Sequence, residues 1–307
     1  MVRAVWAVAL ALAAATLPAT LCAARTTQSV AVTIKPLHSL VASVMQGAGS
    51  PDLILKGAGS PHAYSLKPSD AVLLYTADVV FWIGPELETF LIRTIESLPT
   101  RTRTVALAAA SGITRLEARD GLDWSDPHHP VGHHHTIDPH IWLDPKNAEA
   151  MANAIADHLA KADPANAQLY ASNRDHLIAR IQRLTADLAR RLSPLSAKRF
   201  IVYHDAYAYF EKRFGLTAAA AMTINEGRAP GARHIARLRR LVKEQSVRCV
   251  FVEPQFEPRL ARVITEATPA RIAELDPLGA ARPAGPDQYF DMMTGMADAV
   301  HACLSKP

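Results

Sequence analysis

Between Asp126 and Pro145 the chain reads DPHHPVGHHHTIDPHIWLDP, so six of its thirteen histidines crowd one short stretch beside a Pro/Gly turn cluster. Neutral imidazole is the commonest protein ligand for zinc, copper and nickel, and this concentration in a loop points to metal handling. A purification tag is the alternative, but such tags are usually terminal and this run lies between regularly patterned segments.

Four metal-competent residues fall just beyond strand-like runs or beside them. His62 is in the loop after DLILK, His140 in the loop before IWLDP, His204 directly after RFIVY and Asp276 directly after ARIAEL. In open α/β sheets ligand groups gather beyond the carboxyl ends of the strands. Three imidazoles and a carboxylate suit a tetrahedral, borderline-soft divalent cation. That fits zinc better than magnesium or calcium, whose sites are built from oxygen. Any one of these histidines could equally be a cap or a packed residue; the joint pattern carries the expectation. Asp276 precedes Pro277 and has turn capping as its alternative role. Glu253, ending the run CVFVE, could orient a ligating imidazole from behind or form a salt bridge, and stays outside the ligand set. His128, His129, His133, His134 and His135 are expected to form a secondary, weaker metal site, because a flexible loop loses entropy when it closes on an ion.

These residues must be positioned by the elements around them. Apolar, β-branched runs (SVAVTIK, DLILK, ADVVFWIG, RTVALA) alternate with helix-period segments (SLVASVMQG, PSDAVLLYT, ELETFLIRTIESL), which indicates an α/β fold with a mostly parallel sheet. The alternation resumes with RFIVY, LTAAAAMT, CVFVE and ARIAEL and their intervening helical segments. Between the two sets, residues 164–193 keep an apolar stripe at helical spacing without an internal Gly or Pro up to Leu192. The expected architecture is therefore two (β/α) lobes joined by one long rigid helix, with the metal site at the lobe interface. The expected boundaries are 25–163 for the first lobe, including a His-rich loop at 117–137, 164–193 for the linking helix, and 194–307 for the second lobe.

Residues 1–24 carry Arg3, an apolar run from Val5 to Leu17 and small residues ending in Cys22-Ala23-Ala24, the pattern of a secretory signal peptide. Export from a bacterial cytoplasm would place the mature chain in the periplasm. Removal of Cys22 with the signal leaves Cys249 and Cys303, an even count that in an exported chain predicts one disulfide, with two buried thiols as the alternative. The net charge of +4 is mild and no aromatic-basic stripe is present, which argues against nucleic-acid binding.

SPHAYSLKPSD around His62, DPHIWLDP around His140, YHDAYAYFEKRFGL from Tyr203, EPQF at Glu253 and LDPLG around Asp276 resemble the zinc-binding proteins of bacterial ABC uptake systems. The resemblance runs through essentially the whole mature chain. It implies two lobes, a rigid linking helix, Zn²⁺ held between the lobes by His62, His140 and His204 with Asp276 as the fourth ligand or as an oxygen that alternates with water, and a bridge between Cys249 and Cys303. It further implies a monomeric, non-enzymatic carrier that hands zinc to a membrane permease driven by a cytoplasmic ATPase. Manganese-type relatives usually carry Glu where this chain has His204, so histidine there favours zinc over a manganese or iron cargo. An exported zinc hydrolase is the remaining alternative; neither an HExxH helix nor a well-placed general base supports it.

Overall fold

The computed structural model describes residues 28–57, 59–119, 121, 124, 136–223 and 230–306. The signal segment and His128, His129, His133, His134 and His135 lie outside the described residues.

The first half consists of β1 (Val30–Val32), α1 (Lys35–Val44), β2 (Asp52–Leu53), α2 (Pro68–Thr76), β3 (Val79–Trp82), α3 (Ile92–Glu96) and β4 (Arg103–Ala106). Its strands pair in parallel in the order β2-β1-β3-β4. After α4 (Pro145–Ala162) and α5 (Ala167–Leu192) come β5 (Arg199–Val202), α6 (Ala208–Phe214), β6 (Thr217–Ala221), α7 (Ala232–Glu244), β7 (Cys249–Val252), α8 (Arg259–Thr265), β8 (Arg271–Glu274) and α9 (Gln288–Leu304). This second sheet is also parallel, in the equivalent order β6-β5-β7-β8. Every residue of β1 and β3 is buried, as expected of parallel strands covered on both faces. In such an order the connections leave the first strand in opposite directions, which opens a crevice beyond the carboxyl ends of the first and third strands.

The segment ELETFLIRTIESL is helical over less of its length than its periodicity predicts. A 3-10 turn at Thr89–Leu91 precedes the five residues of α3. Glu88 is the reason: its carboxyl turns inward and accepts from Thr33 Oγ1 at 2.6 Å and from the N–H groups of Ile83 and Gly84 at 3.2 and 2.9 Å, so the chain enters the segment in a non-helical conformation.

Pro164–Asn166 forms a 3-10 turn leading into α5, whose 26 residues give a rod of about 39 Å. Its buried stripe, Tyr170, Leu177, Ile181, Leu188 and Leu192, packs against α1, α4 and α9. Because α9 returns from the second lobe to lie on α1 and α5, one hydrophobic core runs through both lobes. A smaller cluster sits on the outer face of the second sheet, beneath α7 and α8. Cys249 in β7 and Cys303 in α9 form a disulfide with Cα atoms 6.2 Å apart.

Candidate metal centre

His62 is carried by the loop between β2 and α2. Asp70, at the start of α2, accepts from the Lys67 N–H at 2.9 Å and from the Tyr64 hydroxyl at 2.7 Å, pinning the segment that follows His62 onto the helix. His140 immediately precedes a buried 3-10 turn, Ile141–Leu143, which is locked at its far end by Asp144, whose side chain caps α4 through the Lys146 N–H. His204 follows β5 and Glu253 follows β7, so both stand at the crevice of the second sheet.

The three imidazoles converge. Nε2 of His140 lies 3.1 Å from Nε2 of His62 and 3.3 Å from Nε2 of His204, and among the described residues these three offer donor atoms all within 4.8 Å of one another. A tetrahedral ion with bonds of 2.0–2.1 Å would separate its ligand atoms by about 3.3 Å. His140 and His204 are 4% and 6% exposed.

Behind each of these two rings stands a carboxyl group. Asp138 Oδ1 accepts from the His140 Nδ1 at 2.7 Å and from its backbone N–H at 3.0 Å. Glu253 Oε1 is 2.7 Å from His204 Nδ1 and 3.1 Å from the Tyr207 hydroxyl, which is also 3.0 Å from the Leu275 carbonyl. A carboxylate at Nδ1 holds the ring proton there and leaves the Nε2 lone pair bare. Bare nitrogens 3.3 Å apart repel unless a cation lies between them. A proton is a poor candidate, because burial, reinforced by the neighbouring imidazoles, drives the His62 pKa down to about 2, and the same causes hold His140 well below the ordinary histidine range. Burial pushes the Asp138 carboxyl up to about 7, against the pull of the His140 N–H and Arg119; a cation on His140 would add to that pull.

The cavity between the imidazoles has a volume of about 10 Å³. That is the scale of a single ion or water. Ser60, Trp142, Glu253, Gln255 and Leu278 share its wall. A sugar, peptide or amino acid has no room here.

The chain matches the model of the family described as zinc-uptake complex component A, periplasmic (ZnuA), over residues 30–303. It belongs to that family. The high-affinity zinc uptake system protein ZnuA of Brucella suis biovar 1 (strain 1330) is 41% identical over 308 residues, covering 91% of this chain and 92% of the relative. Among solved structures, a crystal structure of ZnuA superposes with a TM-score of 0.78 at 27% identity, covering 91% of this chain and 99% of the other. A zinc-bound ZnuA deletion mutant gives 0.77 at 27% identity, with 92% and 99% covered.

Within this ZnuA-family fold, Asp276 does not join the three imidazoles. Its Oδ1 accepts from the Leu278 N–H at 3.1 Å and its Oδ2 from the Ala280 N–H at 2.6 Å. This is the turn-capping role open to an aspartate before Pro277. Gly279 permits the turn: at φ 61° it adopts a conformation that L side chains rarely take, and a Cβ there would run into the Gln288 Nε2.

Two contributors escaped sequence reasoning. Asp138 stands two residues before His140, a spacing that lets one carboxylate reach both the backbone and ring N–H, and the DPH triplet was its signal. Arg119 left none. Its guanidinium bonds Asp205 and Glu211 and lies 3.5 Å over the Trp124 ring, so the residue next to His204 is clamped to the stem that leads to Asp138 and His140. That stem closes through an isolated antiparallel bridge between Glu117 and Ile137 and the bond from the Asp138 N–H to Leu116 O at 2.9 Å.

Proposed function

We propose that the chain is the zinc carrier of an ABC-type uptake system, binding one Zn²⁺ through Nε2 of His62, His140 and His204 in the periplasm and releasing it to a membrane permease. The single observation that carries this reading is the convergence of three imidazoles, with His140 Nε2 3.1 and 3.3 Å from the Nε2 atoms of His62 and His204, near the spacing a tetrahedral ion requires, and two of the rings backed by carboxyl groups. The nitrogen-only donor set favours zinc over manganese, whose preferred ligands are oxygens. The family and the relatives named for zinc uptake support the same cargo. Asp276, engaged in its turn, leaves the fourth position to water in this reading.

The chain acts here by holding and releasing, and not by catalysis. His62 comes from the first lobe and is the most accessible of the three ligands, so it is the first to let go. Cross-lobe bonds already hold the lobes together and oppose wide opening. Arg213 pairs with Asp144 at 2.7 Å, the Trp142 indole N–H donates to Pro277 O at 2.8 Å, and the Tyr209 hydroxyl donates to Asp138 O at 2.9 Å. Release is expected to proceed through small shifts of the His62 loop and the turn following Glu253. No helix among the described residues is long and apolar enough to cross a membrane, consistent with a carrier that meets its permease from outside the bilayer.

Elemental analysis of the purified protein, followed by competition between zinc and manganese for the metal-free chain, tests this directly. One zinc per cleft, retained against excess manganese and lost in His140→Ala, is the expected result. Preferential manganese retention would reverse the cargo assignment.

A further inference from the structure

Resting on the zinc-carrier reading, we propose that Gln255 fixes the fourth position of the centre by accepting, at its carboxamide oxygen, a hydrogen bond from the water that completes the zinc tetrahedron. Gln255 lies two residues beyond Glu253, in the turn that follows β7, and lines the same small cavity as the three imidazoles. Both of its amide atoms are shielded from solvent, and neither Oε1 nor Nε2 has a hydrogen-bond partner among the described residues. Buried amides are almost always paired, so one left open on both atoms at the wall of a cation site marks a missing partner.

The other polar groups of that wall are already engaged. Ser60 Oγ accepts from the His62 N–H at 3.1 Å, and Glu253 is taken by His204 and Tyr207. Asp276, the nearby carboxylate that could have served, caps its own turn. A zinc ion with three nitrogen ligands keeps a fourth position for water, and that water, polarised by the metal, is a strong donor in need of an acceptor. The carboxamide is uncharged. It can hold the water without drawing off its proton as a general base would, which suits a site that must bind reversibly and not hydrolyse. The paired residues Glu253 and Gln255 thus divide the work: one orients a ligating ring, the other the water opposite.

The test measures zinc affinity of the full mature chain by competition with a chromophoric chelator, alongside the visible absorption of its cobalt(II) form. Gln255→Leu should bind zinc about tenfold more weakly, the lower end of what loss of a supporting hydrogen bond costs a metal site, and should alter the cobalt bands. Gln255→Glu keeps the oxygen acceptor and should recover most of the affinity. Should Gln255→Leu fail to fold, Gln255→Asn, which withdraws the oxygen by one methylene, carries the same expectation. Wild-type affinity and an unchanged cobalt spectrum in a well-folded Gln255→Leu protein would overturn the role of Gln255 while leaving the carrier reading intact. The carrier reading itself fails if the wild-type chain takes up no zinc, or if His140→Ala binds it as well as wild type.

Discussion

The first lobe's sheet is built on Val30–Val32 and Val79–Trp82, all but Ala31 larger than alanine and all buried in the main core, whereas the second includes Thr217–Ala221, with four consecutive alanines. The strand order is the same in both, yet they are secured by different means. In the first lobe a buried carboxyl, Glu88, gathers Thr33, Ile83 and Gly84 at the carboxyl ends of β1 and β3. In the second, a covalent bridge joins β7 to α9 within the main core, and the outer cluster beneath α7 and α8 is small. The same topology is thus secured in one lobe by a buried polar group at the carboxyl ends of the strands and in the other by a cross-link at the amino end of β7. Each lobe then brings a backed imidazole to the proposed zinc site: His140 on Asp138 in the first, His204 on Glu253 in the second.

The largest expected effect strikes the second lobe. Replacing Cys249 and Cys303 with serine removes a cross-link across a separation of 54 residues and should lower stability by about 4 kcal/mol. Urea denaturation gives the total, and hydrogen exchange should show the loss concentrated in β7 and α9. Uniform loss across both lobes would show that the bridge does not act on the second lobe in particular.

Glu88 provides the matching experiment on the first lobe. Burial raises its pKa from 4.5 to about 7, so the folded state holds the proton more tightly than the unfolded one. The stability it contributes is fully present below about pH 4.5 and is lost as pH rises through 7, up to about 3 kcal/mol. In Glu88→Gln this part of the pH dependence between pH 5 and 8 should vanish, whatever the variant's absolute stability. An unchanged slope would show that another group titrates.

At the shared centre, His140→Ala and His204→Ala should each weaken zinc binding at least about a hundredfold, more than the usual effect of a supporting group. A much smaller loss from either lobe would mean that the site is not jointly owned. The smallest effects are expected from the carboxyl groups behind the rings. Asp138→Asn and Glu253→Gln should each cost about tenfold in affinity, and isothermal titration of both variants compares the two halves directly. Asp138 accepts from the His140 backbone as well as its ring, so its removal should also perturb the loop, visible in the exchange of nearby amides.

Much of this molecule was legible in its sequence because the signals were local. Runs such as VVFW and CVFV, bounded by turn residues, marked strands, and the gap-free stripe through Leu177, Ile181 and Leu188 marked α5. His62, His140 and His204 were recognisable from their place after or beside strands, and the two remaining cysteines left one possible intramolecular pair. Where a tertiary contact competed with a local pattern, the local pattern gave way: α3 is cut short because Glu88 turns into the core.

Residue type and order therefore determined the elements, the parallel α/β class and the choice of nitrogen donors, since each depends on neighbours a few positions away. Only the tertiary structure decided what those donors do together. The partners of His140 at the centre are 78 and 64 residues distant, and whether their nitrogens meet depends on how two sheets dock against α5 and α9. The same packing gave Asp276 to its own turn, tied Arg119 to Asp205 and left the Gln255 amide, beside the cavity, without a partner among the described residues. Those outcomes are competitions between nearby partners in space, and no spacing along the chain records which partner wins.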